Sequence, residues 1–177
     1  MKKISFIPND NKTTVMKNIL IAFLSVFLFC GCKKDSVDNI PIGTIKVDIG
    51  GSAYTFSVQA KATRPQVTGG YGIQIEGNYR TGSTTNLSFT VVRPTTITSG
   101  SYTEKVASNP LVMMKHCTEV IVPCVYQANN YGSPTNPVNI TITEITSSYV
   151  KGTFKGELKL GSGSTETLTN GMFYVSF

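Results

Sequence analysis

The stretch YVKGTFKGELKL, Tyr149–Leu160, decides how the rest of the chain is read. Val150, Phe154, Leu158 and Leu160 fall on one parity, and Lys151, Lys155 and Lys159 fall on the other. A period of two is the signature of a strand, because successive side chains point to opposite faces of a sheet. One apolar and one charged face together describe an antiparallel strand wetted on one side.

The same period recurs on both sides of that stretch. Ile45, Val47 and Ile49 share a parity in TIKVDI, and Gly50-Gly51 behind them reads as a tight hairpin turn. SAYTFSVQAKA places Tyr54, Phe56, Val58 and Ala60 on one face. YGIQIEGNY turns Tyr71, Ile73 and Ile75 inward and Gln74 and Glu76 outward. Leu87, Phe89 and Val91 align in NLSFTVV, as do Val138, Ile140 and Ile142 in VNITITE. Phe173, Val175 and Phe177 align in the closing NGMFYVSF. No helical period of useful length follows residue 32. The expected fold is all-β: an antiparallel β-sandwich or a flattened up-and-down barrel of about 8–10 strands.

Ahead of this domain, Ile19–Phe29 is an apolar run of eleven residues behind Lys17. That is too short for a spanning helix, which needs about 20 residues, and is the length of a secretory h-region. Gly31 then stands directly before Cys32, the form of a lipoprotein signal. The expectation is a signal peptide over residues 1–31, with Met16 as an alternative start, and lipidation at Cys32. A flexible tether over 32–42 and a single all-β domain over 43–177 follow. Each buried acyl methylene contributes about 0.8 kcal/mol, so two or three chains make a lasting anchor. The protein is expected in the cell envelope, held at the outer membrane by Cys32, with the face it occupies left open.

The chain has 16 basic and 10 acidic residues. Four of the lysines and one aspartate lie in the leader, which leaves twelve against nine, a net +3, in the mature chain. No basic block remains, so nucleic acid is not an expected partner. With Cys32 acylated, Cys117 and Cys124 are an even pair in an oxidising compartment, and a disulfide between them is the economical inference. It would close a loop of eight residues and contribute about 2.5 kcal/mol. His116 beside two thiols is too small a set for a closed zinc site, so no metal and no cofactor are expected.

Catalysis finds little support. His116 is the only histidine, and it reads as a surface strand residue. No Gly-x-Ser-x-Gly elbow and no phosphate-cradling glycine loop are present. Glu76 and Glu157 fall on outward parities. Tyr79 and Arg80 at one hairpin tip and Tyr131 in the polar loop QANNYGSPTNP (127–137) are the candidate ligand-binding residues, since loops on a rigid β scaffold commonly carry recognition. A non-catalytic binding or accessory module is expected, for a glycan or an envelope protein. The alternatives are a lipocalin-like carrier of a small apolar ligand and a purely structural lipoprotein.

Four segments, ITSGSYT, VNITITEI, VKGTFKGEL and LTNGMFYVSF, resemble a family of uncharacterised small all-β lipoproteins of Bacteroidetes over roughly residues 43–177. Residues 106–137 fit that resemblance least. The CKKD that opens the mature chain is similar to lipoproteins of that group, and Asp35-Ser36-Val37 looks like their O-glycosylation signal, with Ser36 as acceptor. The resemblance implies a fold and a location but no activity. Gly152, Phe154, Gly171 and Phe173, which carry it, look architectural.

Overall fold

The structure, a computed structural model, describes residues 36–104, 111–119, 126–128, 135–161 and 163–177. Residues 1–31, expected as a signal peptide, and Cys32, Cys124 and Tyr131 lie outside the described residues. A 3₁₀ turn, Val37–Asn39, comes first. Six strands follow: β1 (Thr44–Ile49), β2 (Ser52–Phe56), β3 (Val58–Thr63), β4 (Gln66–Val67), β5 (Gly70–Asn78) and β6 (Asn86–Arg93). Six more complete the chain: β7 (Gly100–Thr103), β8 (Leu111–Cys117), β9 (Tyr126–Gln127), β10 (Asn139–Ile145), β11 (Tyr149–Lys159) and β12 (Thr165–Ser176). No α-helix occurs among the described residues.

All twelve strands among the described residues belong to one antiparallel sheet that is nearly closed into a barrel. Across it run β2, β1, β12, β11, β9, β8, β6, β5 and β3 in that order, with β10 and β7 branching from β11. The two ends of this order, β2 and β3, are consecutive in the chain, separated by Ser57 alone. The run read as one strand therefore turns a corner. Its first half pairs β1, from Ile49↔Ser52 to Ile45↔Phe56, and its second half pairs β5, from Val58↔Asn78 to Thr63↔Gln74. The corner is marked by a register shift between Val58 and Lys61 and by Gln59 at φ 54°. Such a bulge bends the strand and re-aims it. The strand count exceeds the expected range because this run divides in two and because β4 and β9 are two residues each.

The β1–β2 hairpin turns on Gly50 and Gly51, with φ of 56° and 86°. Positive φ at both central residues is what a right-twisted hairpin requires, and glycine adopts it without a steric penalty. The opposite faces of the sheet meet inside on three rings. Phe89 of β6 lies 5.1 Å from Phe154 of β11 and 5.2 Å from Phe173 of β12. Around them Ile45, Phe56, Leu87, Val112, Leu158 and Leu168 are fully buried. Gly152 stands opposite Phe173, and Gly171 stands opposite Phe154. A Cβ on either glycine would lie 2.7 Å from the facing ring. Each ring thus lies over the other strand's glycine, and the four residues act as one packing unit.

Two expectations change here. Tyr71, expected inward with Ile73 and Ile75, is 55% exposed, because β5 runs past the rim of the barrel at its first residues. The tether, expected to be flexible throughout 32–42, is ordered over its second half. Ile40 is buried, and Asp38 of the 3₁₀ turn pairs with Lys151 at 2.9 Å.

Candidate functional site

Past the rim, three segments far apart in sequence enclose an open groove of about 980 Å³. That is at the upper end of ligand-site volumes, about 300–1,000 Å³. The first wall is the hairpin from Arg64 to Gly72. Gln66 and Val67 of β4 pair with Tyr71 and Gly70 of β5. The hairpin lies flat on its surroundings because two side chains are missing. A Cβ on Gly70 would stand 2.1 Å from the Arg93 carbonyl oxygen, and one on Gly72 would stand 3.0 Å from Pro65.

The second wall is the connection after β6, with Pro94, Thr96, Ile97 and Thr98. Tyr102 fixes it: its hydroxyl donates to the Thr98 carbonyl at 2.6 Å and accepts the Thr98 N–H at 3.2 Å. The third wall is the β10–β11 turn, Ile145, Thr146 and Ser147. Here the Thr146 hydroxyl accepts the N–H groups of Ser148 and Tyr149, each at 3.1 Å.

Arg64 ties the first wall to the third. Its guanidinium carbon lies 3.6 Å from the centroid of the Phe177 ring, and Nη2 donates to the Thr146 carbonyl at 2.5 Å. Stacked on a ring and held by a carbonyl, the guanidinium has one geometry at little cost in side-chain entropy. Arg93 stands directly opposite Tyr71 in the β5–β6 ladder, its guanidinium 5.5 Å from the Tyr102 ring. Beside the groove, Lys151 holds Glu144 at 2.8 Å as well as Asp38. The hydrogen bond from Lys151, then the one from Tyr149, lowers the Glu144 carboxyl below its ordinary range. The same Glu144 contact raises Lys151 and Tyr149.

The described residues among those singled out from sequence do not line the groove. Tyr79 follows the far end of β5, eight residue steps from Tyr71, which is roughly 27 Å of strand. It is 41% exposed and meets Tyr54 and Phe56 edge-on, at 5.4 and 6.2 Å. Arg80 pairs with Glu119 at 3.1 Å, and Ser83 donates to the same carboxylate at 2.6 Å. Those contacts, with Ser83 first, lower the Glu119 carboxyl. Ser36 is exposed at the start of the 3₁₀ turn. Cys117 ends β8, and β9, which pairs β8, begins two residues after Cys124.

His116 is not a surface residue. It is 1% exposed, on the inward parity of Val112 and Met114, and its Nδ1 lies 2.7 Å from a Glu166 carboxylate oxygen. The apolar run Leu111–Met114 hides that parity in the sequence. The rings of Tyr54, Phe56 and Tyr126 stand 6.0 to 6.5 Å away. Nε2 is buried too and meets no hydrogen-bond partner among the described residues. Among these residues no three His, Cys, Asp or Glu side chains gather as a metal site.

The groove was missed because no single segment contains it. One signal was available. Of the three arginines in the chain, Arg64 and Arg93 precede a proline, and Arg64-Pro65 is followed closely by Gly69-Gly70. Proline restricts the residue before it to extended backbone, and such punctuation marks a shaped loop. No family model, no curated protein and no solved structure matches the chain.

Proposed function

We propose that the protein is a lipid-anchored, non-catalytic module of the cell envelope that binds a glycan in the rim groove. The single observation that carries this reading is the exposed Tyr71 ring on the first of the three walls that frame the groove. Sugars stack on aromatic faces and exchange hydrogen bonds with hydroxyls and amides. Gln66, Thr96 and Ser147 line the same groove with such groups. The interior offers less: Phe89, Phe154 and Phe173 fill the space that a carrier of an apolar ligand would use, which weighs against a lipocalin-like role.

Anchoring is inferred from Gly31-Cys32 behind the apolar run, and a Cys117–Cys124 disulfide from the cysteine count. Cys32→Ala is expected to abolish fatty-acid labelling and release the protein from membranes, and continued labelling removes the anchor. A glycan array probed with the purified protein tests the groove. At least one glycan is expected to be retained and lost at least about tenfold in Tyr71→Ala, as befits one stacking contact. Retention of the same glycan by Tyr71→Ala at parent strength overturns the groove, and an array without any hit favours the structural alternative.

A further inference from the structure

We propose that the groove is built for an anionic saccharide, with Arg64 as a fixed fork for a carboxylate and Arg93 as a second charge beside Tyr71. The proposal rests on the reading of the groove as a glycan site and adds its ligand class.

The charge pattern leads to it. Arg80 is neutralised by Glu119, Lys61 faces Glu76 at 3.3 Å, and Lys151 is flanked by Asp38 and Glu144. Of the three arginines, Arg64 and Arg93 have no carboxylate partner among the described residues; Arg64 lines the groove, and Arg93 directly precedes its lining residue Pro94 and pairs with its lining residue Tyr71. The acid next to the groove in sequence, Glu144, is already engaged by Lys151 and Tyr149. One guanidinium therefore lines the groove, and a second belongs to the residue that precedes the lining Pro94 and pairs with the lining Tyr71, neither with a counter-charge among the described residues.

Their geometry points to recognition. A guanidinium has five N–H donors. Among the described residues only the Nη2 of Arg64 has a partner, the Thr146 carbonyl, while the Phe177 ring holds the plane in place. The remaining donors form the planar fork that matches a carboxylate bidentately. Because the fork is already ordered, binding forfeits little side-chain freedom. Tyr71 stands directly across the ladder from Arg93, so a ring-stacking face and a positive charge lie side by side. A sugar that carries a carboxylate uses both. A flat, anionic bilayer meets neither well, since the groove is concave between three walls.

The test is calorimetric titration of the purified protein with an oligogalacturonate and with a neutral cello-oligosaccharide of the same length. Anionic phosphatidylglycerol vesicles and inorganic phosphate serve as further arms. The oligogalacturonate is expected to bind at least about tenfold more tightly than the neutral chain and to weaken several-fold as salt rises from about 0.05 to 0.3 M. Arg93→Gln should weaken it at least about threefold. Arg64→Lys, which keeps the charge and loses the planar fork, should weaken it by a similar factor with an unchanged melting temperature. Equal binding of the neutral and acidic chains overturns the anion preference and leaves the glycan groove standing. Uronate binding untouched in both variants overturns the role of the arginines. Binding to vesicles or inorganic phosphate without binding to the oligogalacturonate removes the saccharide, and no saccharide binding at all removes both readings.

Discussion

Two buried polar side chains show how single residues set the stability of this barrel. Glu104 is 3% exposed; one carboxylate oxygen accepts the Val138 N–H at 2.9 Å, and the other has no partner among the described residues. Burial raises its carboxyl above the ordinary 4.5, and the Val138 bond only partly opposes this. The folded state therefore holds the proton more tightly than the unfolded chain. The contribution of Glu104 to stability is fully present at and below about pH 4.5 and is lost as pH rises through the raised value. Glu104→Gln keeps an acceptor for Val138 and does not titrate. It is expected to melt about 2–4 °C above the parent near pH 8 and level with it near pH 4. Parallel melting profiles for the two proteins would show that Glu104 is not the source of the pH slope. The His116–Glu166 pair is the second case. Glu166→Ala strands Nδ1 in a buried site and is expected to cost about 1–3 kcal/mol, while Glu166→Gln, which can still accept, costs less. Adding His116→Met to Glu166→Ala should restore part of the loss, a coupling read by a double-mutant cycle in urea. Additive effects would mean that the two residues do not act as a pair.

At the scale of elements, the crossed pairs Gly152–Phe173 and Phe154–Gly171 bind β11 to β12. A Cβ on Gly171 would approach the Phe154 carbonyl oxygen to 2.4 Å as well as its ring, and backbone cannot move aside as a side-chain tip can. Gly171→Ala is therefore expected to lower stability by about 3 kcal/mol, at the upper end of overpacking costs. An unfolding midpoint within error of the parent would show that the strands separate freely at that point. The alternation in Tyr149–Lys159 and Val138–Ile142 was legible without coordinates, because Val150, Phe154, Leu158, Val138, Ile140 and Ile142 are buried where parity puts them, while Leu160, just past the strand, is only half-buried. The corner at Ser57 was not. Tyr54, Phe56, Val58, Ala60 and Ala62 keep one parity straight through it, although the partner changes from β1 to β5. Periodicity reports which way a side chain faces and says nothing about which strand lies alongside. The groove stayed hidden for a related reason: its walls start at Arg64, Pro94 and Ile145, and only pairing brings them together.

For the molecule as a whole, closure depends on strands from the two ends of the chain. Thr44–Ile49 pairs Thr165–Ser176, with Asn170 donating to Asp48 at 2.7 Å across 122 positions of sequence. The bulge at Asn170, φ 53°, is held by that bond, so the first strand helps to shape the last. In time rather than space, this means that β1 must wait. While the chain is being made, its first strand has β2 on one side and nothing to pair on the other until residue 165 and beyond have appeared. Loop closure of this span precedes any reward from the contacts it makes, which places such topologies among the slow folders, in milliseconds to seconds. A chain ending at residue 164 is expected to remain unfolded by circular dichroism, and the full chain to refold in that slow range. Cooperative melting of the shortened chain would show that the barrel can close without its last strand. A nascent chain of this design carries an open, half-paired edge throughout its synthesis, and its survival until completion becomes a matter for whatever binds unfinished strands.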